Sequence, residues 1–199
     1  MNVMKVGITG GIGSGKSYVC RLLADHGIEV YDCDRAAKRL MRESPTLRQQ
    51  LIALIGPEAY EPSEPYPLNK KVVAAFLLAS ESNARALDAI VHPAVFQDFL
   101  QSGCQWVESA ILYESGLDRL VDRVVVVTAP LELRIQRVME RDHISREKAL
   151  EWIGCQMPQE EIIRRADYEI VNDGQAQLAP QIDALLGNLP ITPQSPLAP

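Results

Sequence analysis

A glycine-rich run near the start of the chain carries the residues best suited to bind phosphate. Residues 10–17 read Gly-Gly-Ile-Gly-Ser-Gly-Lys-Ser and fit G-x-x-x-x-G-K-[ST], the pattern of a phosphate-binding loop, or P-loop. Glycines let the backbone turn closely around phosphates, and the loop N–H groups then form an anion nest at a helix N-terminus. In this pattern Lys16 reaches the β- and γ-phosphates of a nucleotide, and Ser17 offers its hydroxyl to Mg²⁺.

The sequence on both sides of this run supplies the strand–loop–helix context that the motif requires. Residues 3–9 are mostly apolar and predict a buried strand, and residues 16–26 predict a helix. The alternative is an ordinary glycine-rich turn, and a chance match in a chain of this length is expected at about 1%. We therefore predict a nucleotide site. The loop residues assigned to it are Gly11, Gly13, Ser14, Gly15, Lys16, Ser17 and Tyr18.

Two carboxylates, Asp32 and Asp34, directly follow a second predicted strand over 28–31. Parallel strands joined by a right-handed crossover end at the same edge of the sheet, so both should lie at the edge that carries the P-loop. One carboxylate can take a proton from an acceptor hydroxyl, and another can hold a water of the Mg²⁺ shell. We favour Asp34 as the base and Asp32 as the water-mediated metal ligand. The alternative is a helix N-cap, for which Asp34 is well placed.

Three arginines, Arg134, Arg137 and Arg141, share one face of a predicted helix over 130–141. Such a run ordinarily marks a solvated face, and we interpret Arg134 in this way. Arg141 ends the helix just before another predicted helix capped by Ser145, and kinases with a P-loop carry a lid in such a helical hairpin. An arginine there neutralises charge on the transferring phosphoryl group and helps to exclude water, so we predict that Arg141 is catalytic and contacts ATP.

Three further polar residues remain open between a functional and a structural role. His92 stands before a proline that is expected to interrupt an apolar helical run, and it either contacts substrate or serves the core. Glu114 follows a predicted strand over 105–112 and is either a site residue or a surface charge. Asn172 begins a polar turn after the last strand, where it either lies near the base of a nucleotide or simply turns the chain.

The elements that must position these residues alternate between strand and helix, which predicts an α/β fold with a parallel sheet. The run over 123–128 is β-branched, as is typical of a strand buried on both faces. The remaining predicted strand is 167–171, and the remaining helices are 35–55, 69–80, 83–101, one opened by Ser145, a short one with Pro158 in its first position, and 175–187.

This pattern also predicts the domain organisation. We expect a kinase core formed by 1–56 and 104–189, with a helical lid over about 138–165. The stretch 57–103 is helical, interrupted by prolines and free of predicted strands, so we interpret it as an insert that binds the phosphoryl acceptor. Residues 190–199 contain four prolines and are expected to be a disordered tail.

Composition bounds the partners and the compartment. The chain has 199 residues and a net charge of −6, which excludes a general nucleic-acid-binding surface. Its four cysteines form no Cys-x-x-Cys pair and predict reduced thiols. No signal-peptide pattern or apolar membrane span is present, so we expect a cytoplasmic protein without a membrane partner, as a monomer or a weak homo-oligomer.

Over residues 4–174 the chain resembles the dephospho-CoA kinase family. The doubled glycine before Ile12 and the His-Pro step are the family-specific parts. The matching pieces are residues 7–17, Asp32-Cys33-Asp34, Ile90-Val91-His92-Pro93, Leu112-Tyr113-Glu114, Arg137, Arg141-Asp142, Gln156, Ala166-Asp167 and Asn172-Asp173-Gly174. Cys33, Tyr18 and Ala110 depart from the Ala, Thr and Pro that are usual in the family, and none of them removes a phosphate, metal or base group.

This resemblance implies a three-layer P-loop NTPase sandwich and ATP-dependent phosphorylation of the ribose 3′-hydroxyl of dephospho-CoA, the last step of coenzyme A synthesis. It implies Mg²⁺ as the cofactor, with ATP as co-substrate. By the family pattern Asp34 is the base, Arg141 is the lid arginine, and the insert containing His92 binds the CoA moiety. The implied substrate-binding residues are therefore Asp34, His92 and Glu114.

Three other classes of P-loop protein share parts of this pattern. Another small-molecule kinase, acting on a nucleoside or nucleotide, would use the same loop, aspartates and lid, and only the insert and the resemblance separate the two. A GTPase needs an Asn-Lys-x-Asp element, but Asn69-Lys70 is followed by Lys71-Val72. A transporter ATPase needs a Leu-Ser-Gly-Gly signature, which the chain lacks.

Overall fold

A computed structural model describes residues 3–189, which form a five-stranded sheet packed with helices. The strands are β1 (Val6–Thr9), β2 (Val30–Asp32), β3 (Trp106–Glu108), β4 (Arg123–Thr128) and β5 (Tyr168–Val171). The helices are α1 (Lys16–Asp25), α2 (Cys33–Glu43), α3 (Pro45–Ile55), α4 (Lys70–Ala79), α5 (Glu81–Ser102), α6 (Leu131–Asp142), α7 (Arg146–Gly154), α8 (Gln159–Arg165) and α9 (Leu178–Asn188). The predicted tail, 190–199, lies outside the described residues.

The strand order is β2-β3-β1-β4-β5, which places β1 at the centre of the sheet. Strand β1 pairs in parallel with both neighbours, so that Val6 lies opposite Trp106 on one side and Arg123 on the other. Strand β4 also pairs in parallel with β5, with Val125 opposite Tyr168. The predicted α/β fold with a parallel sheet is confirmed, and the P-loop leaves the sheet from its central strand.

Strand β4 shows why the apolar pattern of the sequence was informative. All of its residues except the first are buried. Val125 and Val127 join one core cluster with Val19 of α1 and Ile182 of α9, while alternate residues point to the opposite face of the strand. Helix α8 also packs against β4. Burial on both faces is the environment that a continuous β-branched run indicates.

The described chain divides into two compact units. The first contains residues up to 31 and those from 104 onward, and the second contains residues 32–103. In the second unit α5 packs against α2, α3 and α4, and the Arg39 guanidinium donates to the Asp98 carboxylate at 2.5 Å. The predicted insert, 57–103, lies within this unit, which begins at Asp32. Its role in binding the acceptor stays a prediction.

Two helix predictions were wrong in detail. The single helix expected over 35–55 is broken at Ser44, whose hydroxyl caps α3 by accepting the Leu47 N–H at 3.2 Å. The break precedes Pro45, because a residue before proline disfavours the helical conformation. Conversely, α5 continues through Pro93, and its buried face of Val91, Val95 and Phe99 favours the unbroken helix over the one donor that proline removes.

The strand predicted over 105–112 is short, since β3 ends at Glu108 and the chain then turns. The Ser109 hydroxyl accepts the Ile111 N–H at 3.3 Å, and Ser115 N–H bonds the Ile111 carbonyl at 2.9 Å. Pro158 is the N-cap of α8, one position before the predicted one. Ser145 caps α7 as expected, with its hydroxyl accepting the Lys148 N–H.

Candidate active site

The P-loop connects β1 to α1, and its lysine lies folded over the loop. Gly15 is the N-cap of α1 in a left-handed conformation, with φ of 95°, and Lys16 begins the helix. The Lys16 ammonium donates to the Gly10 carbonyl at 2.8 Å and lies 3.8 Å from the Glu108 carboxylate. Only 9% of Lys16 is exposed. The loop therefore holds a positive charge at the carboxyl end of the central strand, beside a negative charge from the next strand.

Glu108 is a site residue that sequence reasoning missed. It is the last residue of β3, in register with Ile8 of β1, and its side chain is 14% exposed. The rule that strand ends meet at one sheet edge pointed to Glu114, and it applies equally to Glu108. Sequence analysis missed Glu108 because the strand was predicted to extend to residue 112, which placed Glu108 inside the strand and not at its end.

Ser14, Ser17 and Tyr18 occupy different environments along the loop and first turn. Ser14 is fully buried, and its hydroxyl has no hydrogen-bond partner among the described residues. Ser17 is exposed in the first turn of α1. Tyr18 is 47% exposed, and the Arg21 guanidinium lies 5.5 Å from the centre of its ring. Ser17 is thus accessible to a ligand, whereas the Ser14 side chain is not.

Arg134 does not lie on a solvated face, and this interpretation was wrong. Only 5% of it is exposed, and its Nε donates to the Ile12 carbonyl at 3.0 Å. Burial lowers the pKa of the Arg134 guanidinium, an effect that the nearby Glu160 partly opposes. The signal lay in α6 itself, because Arg134 is one turn from Val138 and adjacent to Ile135, both fully buried.

Arg137 contacts the next part of the loop. One guanidinium nitrogen, Nη1, lies 3.3 Å from the carbonyls of both Gly13 and Ser14, and 3.2 Å from the carbonyl of Asn172. The other, Nη2, lies 3.4 Å from the Asn172 side-chain oxygen. Arg137 therefore joins the P-loop to the turn after β5.

Asn172 lies against the P-loop backbone. It is 8% exposed, its side-chain amide donates to the Ser14 carbonyl at 2.8 Å, and its own N–H bonds the Thr128 carbonyl at 2.8 Å. The sequence identified this residue by its position after the last strand. The structure brings it to the loop, and its direct contact with ATP stays a prediction.

Gln156 is a second residue to which sequence reasoning gave no role. Its side-chain oxygen accepts the Ile12 N–H at 2.6 Å, and its amide donates to the Ala110 carbonyl at 3.3 Å. The exposed Glu114 carboxylate accepts the N–H of the next residue, Met157, at 2.9 Å. The segment between α7 and α8 is thereby tied to the P-loop and to the turn after β3.

Arg141, predicted as the lid arginine, pairs with its neighbour in sequence. It is exposed, and its guanidinium donates to the Asp142 carboxylate at 2.7 Å. This hydrogen bond raises the pKa of Arg141 and lowers the pKa of Asp142. Of the three arginines on α6, the structure brings Arg134 and Arg137 to the P-loop, and the role of Arg141 stays a prediction.

The two aspartates of the Asp-x-Asp element belong to the second unit. Asp32 is the N-cap of α2 and accepts the Arg35 N–H at 2.8 Å. The capping alternative therefore falls on Asp32, whereas the sequence had favoured Asp34. Asp34 lies in the first turn of α2 and is exposed. The catalytic roles of both stay predictions.

His92 lies within α5 and is half-buried. Its Nε2 is 3.6 Å from the Asp88 carboxylate one turn earlier, and its ring stacks on Phe96 with centroids 6.1 Å apart. It does not cap a helix, which was one of the structural roles left open. Contact with substrate stays a prediction.

Three further observations concern metal ligands, membrane spans and cysteines in the described residues, 3–189. No group of three or more His, Cys, Asp or Glu side chains there is arranged to hold a metal ion. None of the helices in that range has the length and apolar character needed to cross a membrane. The four cysteines, at 20, 33, 104 and 155, carry thiols and form no disulfide.

Comparison with known proteins identifies chains built in the same way. The family model for dephospho-CoA kinase matches residues 4–177. A dephospho-CoA kinase of Bacteroides fragilis is 42% identical over 193 residues, which are 94% of this chain and 93% of that protein.

Solved structures give the same result for the fold. The protein TT1252 of Thermus thermophilus is 32% identical, with a TM-score of 0.79 over 95% of this chain and 99% of its own. Dephospho-CoA kinase from Campylobacter jejuni is 20% identical, with a TM-score of 0.64 over 93% of this chain and 98% of its own. The second likeness concerns the fold alone.

Proposed function

The chain belongs to the dephospho-CoA kinase family, and from this premise we propose how its residues perform the reaction. The activity is ATP-dependent phosphorylation of dephospho-CoA in coenzyme A biosynthesis. We infer that the acceptor atom is the ribose 3′-hydroxyl. The observation that carries the mechanism is the P-loop at the end of the central strand, with the Lys16 ammonium held 2.8 Å from the Gly10 carbonyl.

The P-loop binds the polyphosphate of ATP. The N-terminus of α1 and the loop N–H groups attract the anionic oxygens, and Lys16 contacts the β- and γ-phosphates. The loop residues in this role are Gly11, Gly13, Ser14, Gly15, Lys16, Ser17 and Tyr18. Lys16 now rests on a carbonyl and near a carboxylate, so nucleotide binding exchanges these partners for phosphate oxygens.

The residues near the loop suit a magnesium ion that arrives with the nucleotide. Magnesium prefers oxygen ligands and retains several waters. The exposed Ser17 hydroxyl, in the first turn of α1, and the Glu108 carboxylate, at the end of β3, provide such oxygens. An ion held there would neutralise charge on the β- and γ-phosphates of the nucleotide. We retain Asp32 as a ligand through water because it is the last residue of β2, and we add Glu108 to this set.

Asp34 is the proposed general base. An exposed carboxylate can accept the proton of the ribose hydroxyl as that oxygen attacks the γ-phosphorus, and ADP then leaves. Asp32 is occupied as a helix cap through one of its oxygens, whereas Asp34 carries no such role. This difference supports the assignment of Asp34 as the residue that contacts the acceptor.

Arg141 and the helices around it form the proposed lid over about 138–165. The Arg141 guanidinium is exposed and, within the described part of the chain, bonds Asp142 across a surface ion pair, which can exchange for a phosphate at little cost. When the lid closes, Arg141 neutralises charge on the transferring phosphoryl group. The link from Gln156 to Ile12 supplies a physical connection between this segment and the P-loop.

The acceptor is bound by the second unit, which includes the predicted insert 57–103. His92 is half-buried and carries a polar ring beside Phe96, which suits contact with part of the CoA moiety. Glu114 is exposed and already accepts one backbone N–H, so it contributes a carboxylate of fixed position. We propose both as substrate-binding residues together with Asp34.

The decisive experiment measures ADP release in the presence of ATP and Mg²⁺. Dephospho-CoA is compared with a panel of nucleosides, nucleotides and shikimate-like alcohols, and the product is weighed by mass spectrometry. Turnover confined to dephospho-CoA, with a product heavier by one phosphate, is expected. Activity on a nucleoside in place of dephospho-CoA would leave the P-loop assignment intact and contradict the acceptor. Substituting GTP for ATP in the same assay tests the nucleotide.

We also propose that the protein works in the cytoplasm on small molecules, without a nucleic-acid or membrane partner. Its net charge of −6 disfavours nucleic acid, and its four thiols suit a reducing compartment. A monomer or a weak homo-oligomer is proposed, and light scattering across a concentration series tests it.

A further inference from the structure

Three successive carbonyl groups of the P-loop are held from outside by arginines of one helix. The Ile12 carbonyl accepts from Arg134 at 3.0 Å, and those of Gly13 and Ser14 accept from Arg137 at 3.3 Å. The two arginines are three residues apart on α6, so they project from the same side of the helix. A basic pair near the middle of α6 thus faces the backbone of the loop.

This arrangement decides where the loop N–H groups point. In a trans peptide the carbonyl of one residue and the N–H of the next point in opposite directions. With the carbonyls of Ile12 and Ser14 directed to α6, the N–H groups of Gly13 and Gly15 are turned away from it. The intervening N–H, of Ser14, closes a turn onto the Gly11 carbonyl at 3.1 Å. The arginines, together with the Asn172 amide that donates to the Ser14 carbonyl at 2.8 Å, therefore fix the orientation that a phosphate nest requires.

The same contacts explain two glycines of the motif, Gly11 and Gly13. A Cβ at Gly11 would collide with Nη2 and Cζ of Arg134, and a Cβ at Gly13 would lie 2.6 Å from the Arg134 carbonyl. Neither position can take a side chain while Arg134 keeps its place. These glycines therefore allow α6 to approach the loop closely, whether or not they also contact the nucleotide.

We propose that Arg134 and Arg137 are positioning residues of the nucleotide site. They hold the P-loop carbonyls and so present the opposing N–H groups in binding geometry before ATP arrives. The two guanidinium groups also place positive charge behind a loop that receives a polyanion, and arginine suits this role because it stays charged and carries several donors in a fixed fork. The proposal rests on nucleotide binding by the P-loop.

The first test measures ATP·Mg²⁺ affinity by calorimetry, without acceptor, for Arg137→Lys and Arg137→Met. Loss of the fork should weaken ATP binding by about 10- to 100-fold in the Met variant and by less in the Lys variant. The KM for ATP should rise more than kcat falls, because a contact that serves ground-state and transition-state binding alike mainly raises KM when it is lost. Arg119→Met, which removes an exposed arginine between β3 and β4 and outside the proposed lid, is the matched control and should bind ATP normally.

The second test is a double-mutant cycle between Gly11 and Arg134. Arg134→Gln retains a donor near the position of Nε but removes the outer nitrogens that meet a Cβ at Gly11. Gly11→Ala should weaken ATP binding strongly in the parent chain and much less when Arg134→Gln is already present. Additive losses would show that Gly11 serves the nucleotide itself, and they would overturn the steric part of the proposal.

The outcomes separate this inference from the proposed function. If the parent chain binds no ATP, the P-loop assignment fails. If the parent binds ATP while the Arg137 variants lose only thermal stability and keep its affinity, the arginines are merely structural and the inference fails. Should Arg137→Met not fold, Arg137→Lys and the cycle at Gly11 and Arg134 decide the matter by the same readout.

Discussion

The P-loop and the far end of helix α6 are built in opposite ways, although arginines of the same helix serve both. At the P-loop, Arg134 is buried, and it shares three loop carbonyls with Arg137. At the far end, Arg141 is exposed and bonds its neighbour Asp142. Buried, multiply bonded groups are costly to move, whereas a surface ion pair contributes only about 0–1 kcal/mol. The part that binds nucleotide is fixed in advance, and the part proposed to act on it stays free to rearrange.

The second unit repeats the contrast within two residues. Asp32 is fixed by its hydrogen bond to the Arg35 N–H, while Asp34 is exposed in the first turn of α2. Only Cys33 separates the two carboxylates in sequence, yet they differ in the hydrogen bonds that already hold them. The comparison indicates that the proposed positioning and metal-binding groups, Arg134, Arg137 and Asp32, are already hydrogen-bonded, whereas the proposed chemical groups, Asp34 and Arg141, are accessible.

The largest effect is expected from Lys16→Ala, which breaks the fixed side of the comparison. Removing the ammonium deletes a contact to the β- and γ-phosphates, so kcat/KM for ATP should fall by about a thousandfold or more. Steady-state kinetics with a coupled ADP assay measures it. The matched control is Lys148→Ala on α7, an exposed lysine paired with Glu151, and near-parental turnover is expected of it. Near-normal activity of Lys16→Ala would contradict the P-loop assignment.

Asp34→Asn tests the exposed aspartate of the second unit, the proposed general base. The amide cannot take a proton from the acceptor, so kcat should fall by about 100-fold or more while ATP affinity stays nearly unchanged. Single-turnover kinetics and ATP calorimetry separate the two quantities. A loss confined to the KM for dephospho-CoA would make Asp34 a binding residue.

Arg141→Met should have an intermediate effect at the free end of α6. Loss of the lid charge is expected to lower kcat by about 10- to 100-fold, because the contact forms only as the phosphoryl group transfers. ATP affinity should change far less than in Arg137→Met, which is the direct comparison between the two ends of the helix. Equal losses of ATP affinity in both variants would contradict the distinction between Arg137 as a positioning residue and Arg141 as a lid residue.

The smallest effect separates the two roles of Asp32. Asp32→Ala removes the cap of α2 and should lower the free energy of unfolding by about 1 kcal/mol, whereas Asp32→Ser keeps an acceptor oxygen and should be nearly neutral. Urea denaturation measures this difference. If Asp32 also holds a water of the Mg²⁺ shell, both variants lose activity equally. Full activity of Asp32→Ser would leave Asp32 as a cap alone.

Features encoded within a few consecutive residues could be predicted from the sequence. The P-loop is a contiguous motif, and strand β4 is a contiguous β-branched run, so both were placed correctly. The parallel sheet followed from the alternation of strands and helices. The Ser145 cap of α7 was likewise predicted from a local signal.

What could not be predicted depends on contacts between distant segments. Helical spacing showed that Arg134 and Arg141 share a face, but it could not show that only the first meets the P-loop. Gln156 bonds Ile12 across 144 positions, and no local pattern marks that pairing. Glu108 was obscured by an error of four residues in the end of one strand, since β3 stops at 108 and not at 112. The role of a side chain at the site therefore depends on which distant residues it contacts.

The bridge through Gln156 has a consequence for work at high ionic strength. It joins the segment after α7 to the P-loop through a neutral carboxamide, while Arg141 is held by an ion pair. Dissolved salt screens exposed charges over about 8–10 Å at ordinary concentrations, and it hardly weakens a partly buried amide contact. A salt titration should therefore weaken the Arg141–Asp142 ion pair and leave the Gln156–Ile12 hydrogen bond in place. Salt would thus alter one contact of the proposed lid without the other.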